Sequence, residues 1–185
     1  MKRSAGFTLV ELLITITLFS LASAVLASLY ISGSRQYQEE SIRNDLSKSL
    51  TTLSDELTTD IQNAYAVEAN YGGYTSSATT IVLDLPAIDS SQNLVMNGSS
   101  FVTDRVIYSL SGSTILKSVV PGAGSARPAA TNKTVVSKVV NWSLTYTPAL
   151  PASSQVSWTV SARDSYQKRI VNVSSTRTSK MRNHS

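Results

Sequence analysis

One carboxylate stands where a carboxylate is expensive. Glu11 is the single charged residue in the 25-residue stretch from Phe7 to Ile31. A charge within an apolar helix of membrane length costs several kcal/mol unless something pairs with it, so its position marks a function. The chemistry open to it is electrostatic. A lone carboxylate in a low-dielectric setting attracts a cation strongly, and leaving it unpaired is penalised. The plainer reading is that it lies near an interface and reaches water.

Groups suited to catalysis are few and badly placed. His184 is the single histidine and sits next to the last residue, so a Ser–His–Asp triad would have to use a frayed end. The chain has no cysteine, which excludes disulfides, thiolate metal sites and cysteine nucleophiles. Gly72-Gly73 and Gly122-x-Gly124 read as turns, not phosphate loops. Asp89-x-Ser91-x-Asn93 starts like a calcium loop, but the later Gly and Glu are out of register, and an Asx-rich turn is the better reading. Asn97, Asn132, Asn141 and Asn172 fit the N-glycosylation pattern, as chance allows in so Ser/Thr-rich a chain. No enzyme activity, cofactor or metal site is therefore expected.

The elements that must position Glu11 come next. Phe7–Ile31 as a helix is about 37 Å long, enough to cross a hydrocarbon core of about 30 Å. Lys2 and Arg3 precede it and favour a cytoplasmic N-terminus with the rest outside. A secretory signal peptide has a shorter apolar region. Ala22-Ser23-Ala24 offers a cleavage match for that alternative, which leaves Glu11 unexplained.

Beyond the apolar run, Ile42, Leu46, Leu50, Leu53, Leu57, Ile61 and Ala64 follow one another at intervals of three or four. That is one helical stripe, with charges on the other faces. The pattern predicts a single helix from about Phe7 to Val67, on the order of 90 Å long. Asn70-Tyr71-Gly72-Gly73-Tyr74 ends it. Strand-like runs then follow: Thr79–Leu85, a hairpin of Asp104–Leu110 and Thr114–Val120 about Ser111-Gly112-Ser113, Val135–Thr147, Gln155–Ala162 and Arg169–Thr176. Asp89–Ser100 and Pro121–Thr134 read as loops, and a basic tail closes the chain. Trp142 and Trp158 read as core. The expected fold is α+β: one long N-terminal helix packed on an antiparallel β-sheet head.

Gly6-Phe7-Thr8-Leu9-Val10-Glu11-Leu12-Leu13 resembles the type III (prepilin) signal of type IV pilins and of type II secretion and competence pseudopilins. The resemblance implies cleavage after Gly6 and N-methylation of Phe7 by a prepilin peptidase. It implies a register role for Glu11, pairing with the amine of a neighbouring subunit. The layout becomes a leader over 1–6, a transmembrane and filament-core helix over 7–31, its amphipathic continuation over 32–68 and a β-rich head over 69–185.

Implied partners are other pilin or pseudopilin subunits, the peptidase/methyltransferase, an inner-membrane assembly platform with its ATPase, and inner-membrane lipid before assembly. Implied location is a single pass of the inner membrane, then a filament at the cell surface. Many major pilins carry a mid-helix proline where this chain has Ser28, and no Pro or Gly occurs from Phe7 to Ser32. Gly33 is the first weak point. The unbroken helix is common among minor pilins and pseudopilins, and the absent C-terminal disulfide leans toward a minor subunit or a different bacterial group.

Charge suggests a second role. Residues 1–68 sum to −3 and residues 69–185 to +7. Lys168, Arg169, Arg177, Lys180 and Arg182 are candidate contacts for DNA or another anionic polymer. Exposed Tyr71 and Tyr74 would stack on bases. An ordinary solubilising surface is the bland alternative, and a plain membrane-anchored extracellular protein is the other.

Overall fold

The computed structural model describes residues 8–150, 152–167 and 169–182. Helix α1 covers Leu9–Asn63. It stops short of Val67 because the backbone changes partners. Tyr65 N–H donates to Asp84 O at 2.7 Å, and strand β1 (Ala66–Glu68) pairs antiparallel with β4 (Thr80–Pro86). Strand structure therefore begins at Ala66, three residues earlier than the sequence suggests.

The chain divides into two units, the first ending at Ser41 and the second running from Ile42. The first is helix whose large apolar side chains face outward: Leu9 is 78% and Phe19 74% exposed. This is one helix long and apolar enough to cross a membrane.

In the second unit the predicted stripe is the core. Leu46, Leu50, Leu53, Leu57, Ile61 and Ala64 are all buried, and Ile42 packs at their margin. Each buried leucine contributes about 1.5–3 kcal/mol relative to exposure.

The stripe lies on two antiparallel sheets. The first has the order β1-β4-β7-β8-β9, where β7 is Thr103–Ser111, β8 Thr114–Val120 and β9 Ala130–Val136. The second has the order β10-β11-β12: Val139–Thr147, Gln155–Tyr166 and Arg169–Lys180. Two short hairpins, β2–β3 (Asn70–Tyr71 with Tyr74–Thr75) and β5–β6 (Met96–Asn97 with Ser100–Phe101), complete the head.

The hairpin at 103–120 forms as expected, its turn carried by Gly112 at φ 59°. The predicted strand over 135–147 divides in two. Lys138 adopts φ 62°, in the left-handed region, and this reversal carries the chain from the first sheet to the second. The expected loop over 121–134 is only partly loop, because its last residues form β9 on the edge of the first sheet. The basic tail likewise begins as strand, because β12 runs on to Lys180 and pairs with β11 in unbroken register over twelve positions.

Trp142 and Trp158 are buried. Trp142 Nε1 donates to Thr79 O at 3.0 Å, and Tyr146 Oη donates to Ser77 O and Thr80 O, both at 2.8 Å. These bonds join the second sheet to the segment entering β4. Burial pushes the Tyr146 hydroxyl well above the ordinary tyrosine value, so it stays a donor.

Candidate functional site

Thr8 and Glu11 close the start of α1 on each other. Glu11 N–H donates to Thr8 Oγ1 at 3.2 Å, while Thr8 N–H and Oγ1–H donate to Glu11 Oε2 at 3.0 and 2.9 Å. This is a capping box, written in sequence as Thr-x-x-Glu, and it satisfies helix-end donors that otherwise lack partners. The negative charge also complements the positive end of the helix dipole. Glu11 thus has a partner within its own chain, and the three-residue Thr-x-x-Glu spacing is the sequence signal for it. Gly6 and Phe7, the pair expected to be cleaved and methylated, lie outside the described residues.

Three further hydroxyls of this segment, on Thr15, Thr17 and Ser20, bond to their own helix. Thr15 Oγ1 donates to Glu11 O at 2.7 Å, Thr17 Oγ1 to Leu13 O at 3.0 Å and Ser20 Oγ to Ile16 O at 2.8 Å. Their hydroxyls then make no demand on an apolar environment, as lipid or a helix-packed core requires. The helix continues through Gly33 without a break. The arrangement presents an apolar cylinder with one carboxylate at its first turn.

A family model described as the prokaryotic N-terminal methylation motif matches residues 1–27. The fold is similar to that of a type IV-like pilin from Thermus thermophilus, with TM-score 0.51 and 9% identity, over 76% of this chain and 98% of that one. The chain carries a prepilin-type signal on a type IV pilin-like fold. No curated protein matches it.

In the head of this pilin-like chain Arg105, Lys117 and Arg127 are held by charge pairing. Lys117 on β8 reaches Asp60 Oδ2 at 2.8 Å and Glu56 Oε2 at 3.2 Å, both on α1, and lies over the Tyr108 ring. Arg105 sits between Glu68 and Asp84, with its Nε 2.9 and 2.7 Å from their oxygens, and stacks on Tyr71. Tyr71 is thus engaged with a protein cation. Asp104, fully buried, accepts from Gly122 N at 2.8 Å, Ser125 Oγ at 3.0 Å and Arg127 Nε at 2.7 Å, which fastens the 121–129 loop. Asp89 Oδ1 accepts from Ser91 N and Asn93 N, so the weak calcium-like motif is an Asx turn.

The five candidate anion contacts do not gather into one patch among the described residues. Arg177 Nη1 donates to Asp55 Oδ1 at 2.7 Å, and Arg182 Nη2 donates to Gln62 Oε1 at 3.0 Å, so both bind α1. Arg169 and Lys180 stand at opposite ends of β12. Lys168 lies outside the described residues.

Proposed function

We propose that this chain is a subunit, and a minor one, of a type IV pilus or a related secretion or competence filament. A prepilin peptidase cuts after Gly6 and methylates Phe7. The helix then leaves the inner membrane and packs against other subunit helices, on a platform driven by an ATPase. Glu11 sets the axial position by pairing with the amine of a neighbour. The role is structural and not catalytic.

One observation carries this reading: the sequence motif from Gly6 to Glu11 runs into the first turn of an outward-facing apolar helix, and that helix goes on to carry the buried leucine stripe. The capping box fits it as well. Before assembly, Thr8 supplies Glu11 with donors, which lowers the cost of a carboxylate in lipid. An incoming ammonium would be a stronger partner. The unbroken helix supports the minor-subunit reading. A tip role in reading DNA is the lesser proposal, because Arg177 and Arg182 already serve the helix.

Intact mass and N-terminal sequencing of the native protein test the reading. A chain beginning at N-methyl-Phe7 supports it. A chain beginning at Met1, or cut after Ala24, leaves an anchored or secreted protein and removes the register role of Glu11.

A further inference from the structure

Asn97 is the one asparagine of the chain that is followed by glycine. It fits the glycosylation pattern, as do Asn132, Asn141 and Asn172, but the fold treats the four differently. Asn97 pairs with Ser100 at the tip of the β5–β6 hairpin, and Gly98 and Ser99 form the turn between them. All four of these residues are exposed. Gly98 has φ 65°, and a Cβ built there would meet nothing within 4 Å. The hairpin ladder is only two pairs long, Met96 with Phe101 and Asn97 with Ser100. Val102 N–H donates to Val95 O at 2.8 Å and closes its base, so the tip is the part free to open. So short a ladder is marginal by itself and opens at small cost.

The other three asparagines are held. Asn132 Oδ1 accepts from Ser118 Oγ at 3.3 Å, and Asn132 N–H donates to the same oxygen at 2.9 Å. Asn141 and Asn172 lie within the long ladders of β10 and β12, and Trp142 and Val173 follow them.

We propose that Asn97 is a self-modifying site, converting without an enzyme to aspartate and β-linked aspartate. The nucleophile is the next residue's own amide, so the reacting groups are never apart and no bimolecular encounter is needed. Glycine puts no Cβ in the path of attack and takes up the required backbone angles freely. Gly98 N–H loses its proton to solvent, and the nitrogen attacks Asn97 Cγ. The N–Cγ bond forms while the bond from Cγ to the side-chain nitrogen breaks. That nitrogen takes a proton from solvent and leaves as ammonia. The product is a cyclic imide, which water then opens. Addition at Cγ breaks the new bond and gives aspartate. Addition at the main-chain carbonyl breaks its bond to Gly98 N and gives the β-linked form. In sum one water enters and one ammonia leaves.

The change matters because of its surroundings. Leu94 and Met96 are each 55% exposed, and Phe101, the partner of Met96, stands edge-on to Tyr65 at 5.0 Å. A carboxylate written beside this apolar group makes it a poorer protein contact. The β-linked form also lengthens the main chain by one carbon within the pair that closes the hairpin. The head thus acquires a negative charge with age.

The test is peptide mass spectrometry of the full chain, held in detergent at neutral pH and sampled over time, folded and in denaturant. The peptide containing Asn97 should gain the mass difference between an amide and an acid and split into two products of equal mass. The folded rate should lie within about tenfold of the denatured rate, as a small opening cost requires. Asn132, Asn141 and Asn172 should stay unchanged over the same period in the folded chain. Asn97→Gln keeps an amide one carbon further from Gly98 N and should lose the conversion. A folded chain that gains no mass at Asn97 overturns the proposal, whatever the denatured chain does. So does a single product, which would mean direct hydrolysis without Gly98. So do equal rates at Asn97 and the three held asparagines, or an Asn97→Gln chain that converts as fast as the parent.

Discussion

Tyr108 on β7 donates its hydroxyl to Asp60 of α1 at 2.7 Å, in a region where the tyrosine is fully buried. The same Asp60 oxygen is 2.8 Å from Lys117 Nζ. These contacts, with Lys117–Glu56, fix where along the first sheet the helix lies, while the leucine stripe fixes only which face it presents. Burial, and then the Asp60 charge, push the tyrosine hydroxyl far above its ordinary value, so it remains a donor at any pH the protein meets.

Tyr108→Phe should therefore destabilise the head by about 1–2 kcal/mol, since Asp60 loses a donor but keeps Lys117. Asp60→Ala should cost more, on the order of 3 kcal/mol, because it strands both Tyr108 and Lys117. Denaturant unfolding of the full chain and both variants checks the order. Equal losses would mean that the Tyr108 contact carries all of Asp60's contribution.

Asp84 makes the head sensitive to mild acid in an unusual direction. Burial raises its carboxyl to about 6; Arg105 opposes the rise and Glu68 adds to it. Its Oδ1 lies 2.7 Å from Arg105 Nε but accepts no hydrogen bond, since that N–H points to Glu68. Between about pH 4 and 6 the folded chain holds a proton that the unfolded chain has released. The contribution of Asp84 is thus full below about pH 4 and is lost as pH rises through 6. Asp84→Asn, which cannot ionise, should stabilise the head at pH 7 relative to the parent, with a gain that shrinks toward pH 4. Unfolding curves at several pH values for the two proteins would show it, and a constant difference between them would refute it.

Gly122 is required for space. A Cβ there would lie 2.4 Å from Val102 Cγ1 and 2.6 Å from Thr103 O. The backbone comes this close because Gly122 N–H reaches buried Asp104. Gly122→Ala should cost about 1–3 kcal/mol and loosen the 121–129 loop. Gly124→Ala, where the nearest atom would be Val95 Cγ1 at 3.2 Å and φ is +83°, tests backbone strain in the same loop. Limited proteolysis of the loop would compare the two, and a Gly122→Ala chain as resistant as the parent would show that the contact can relax.

Much of this architecture is legible one residue at a time, and the illegible parts have common causes. The stripe from Leu46 to Ala64 announces itself because helical periodicity is a local property. So does the 103–120 hairpin, whose turn needs Gly112. The division at Ser137–Lys138 is not local. Val135–Thr147 is uniformly strand-like, and the break depends on which sheet each half completes. The strand character of Arg177–Lys180 is hidden for the same reason: its basic, Ser/Thr-rich sequence reads as tail until Gln155–Trp158 of β11 supply its partners. Charge totals misled about the cations, because pairing of Arg177 with Asp55 joins residues far apart in sequence. The Thr8–Glu11 box was readable, since its spacing is its signature.

That box yields a prediction about assembly. If Thr8 holds Glu11 until a neighbour's amine replaces it, removing the hydroxyl should leave the carboxylate poorly satisfied in the membrane and fray the first turn. Thr8→Val should lose about 1 kcal/mol of capping, roughly a fivefold effect on any equilibrium that needs the ordered helix start. Thr8→Ser keeps the hydroxyl and should behave like the parent. Glu11→Gln keeps an acceptor but removes the charge that a neighbour's ammonium would meet, and should be the most damaging of the three. The ratio of this chain in sheared filaments to that in membranes, measured in cells producing each variant at equal levels, ranks them. A Glu11→Gln chain that enters filaments as well as the parent would show that the carboxylate serves the helix start alone.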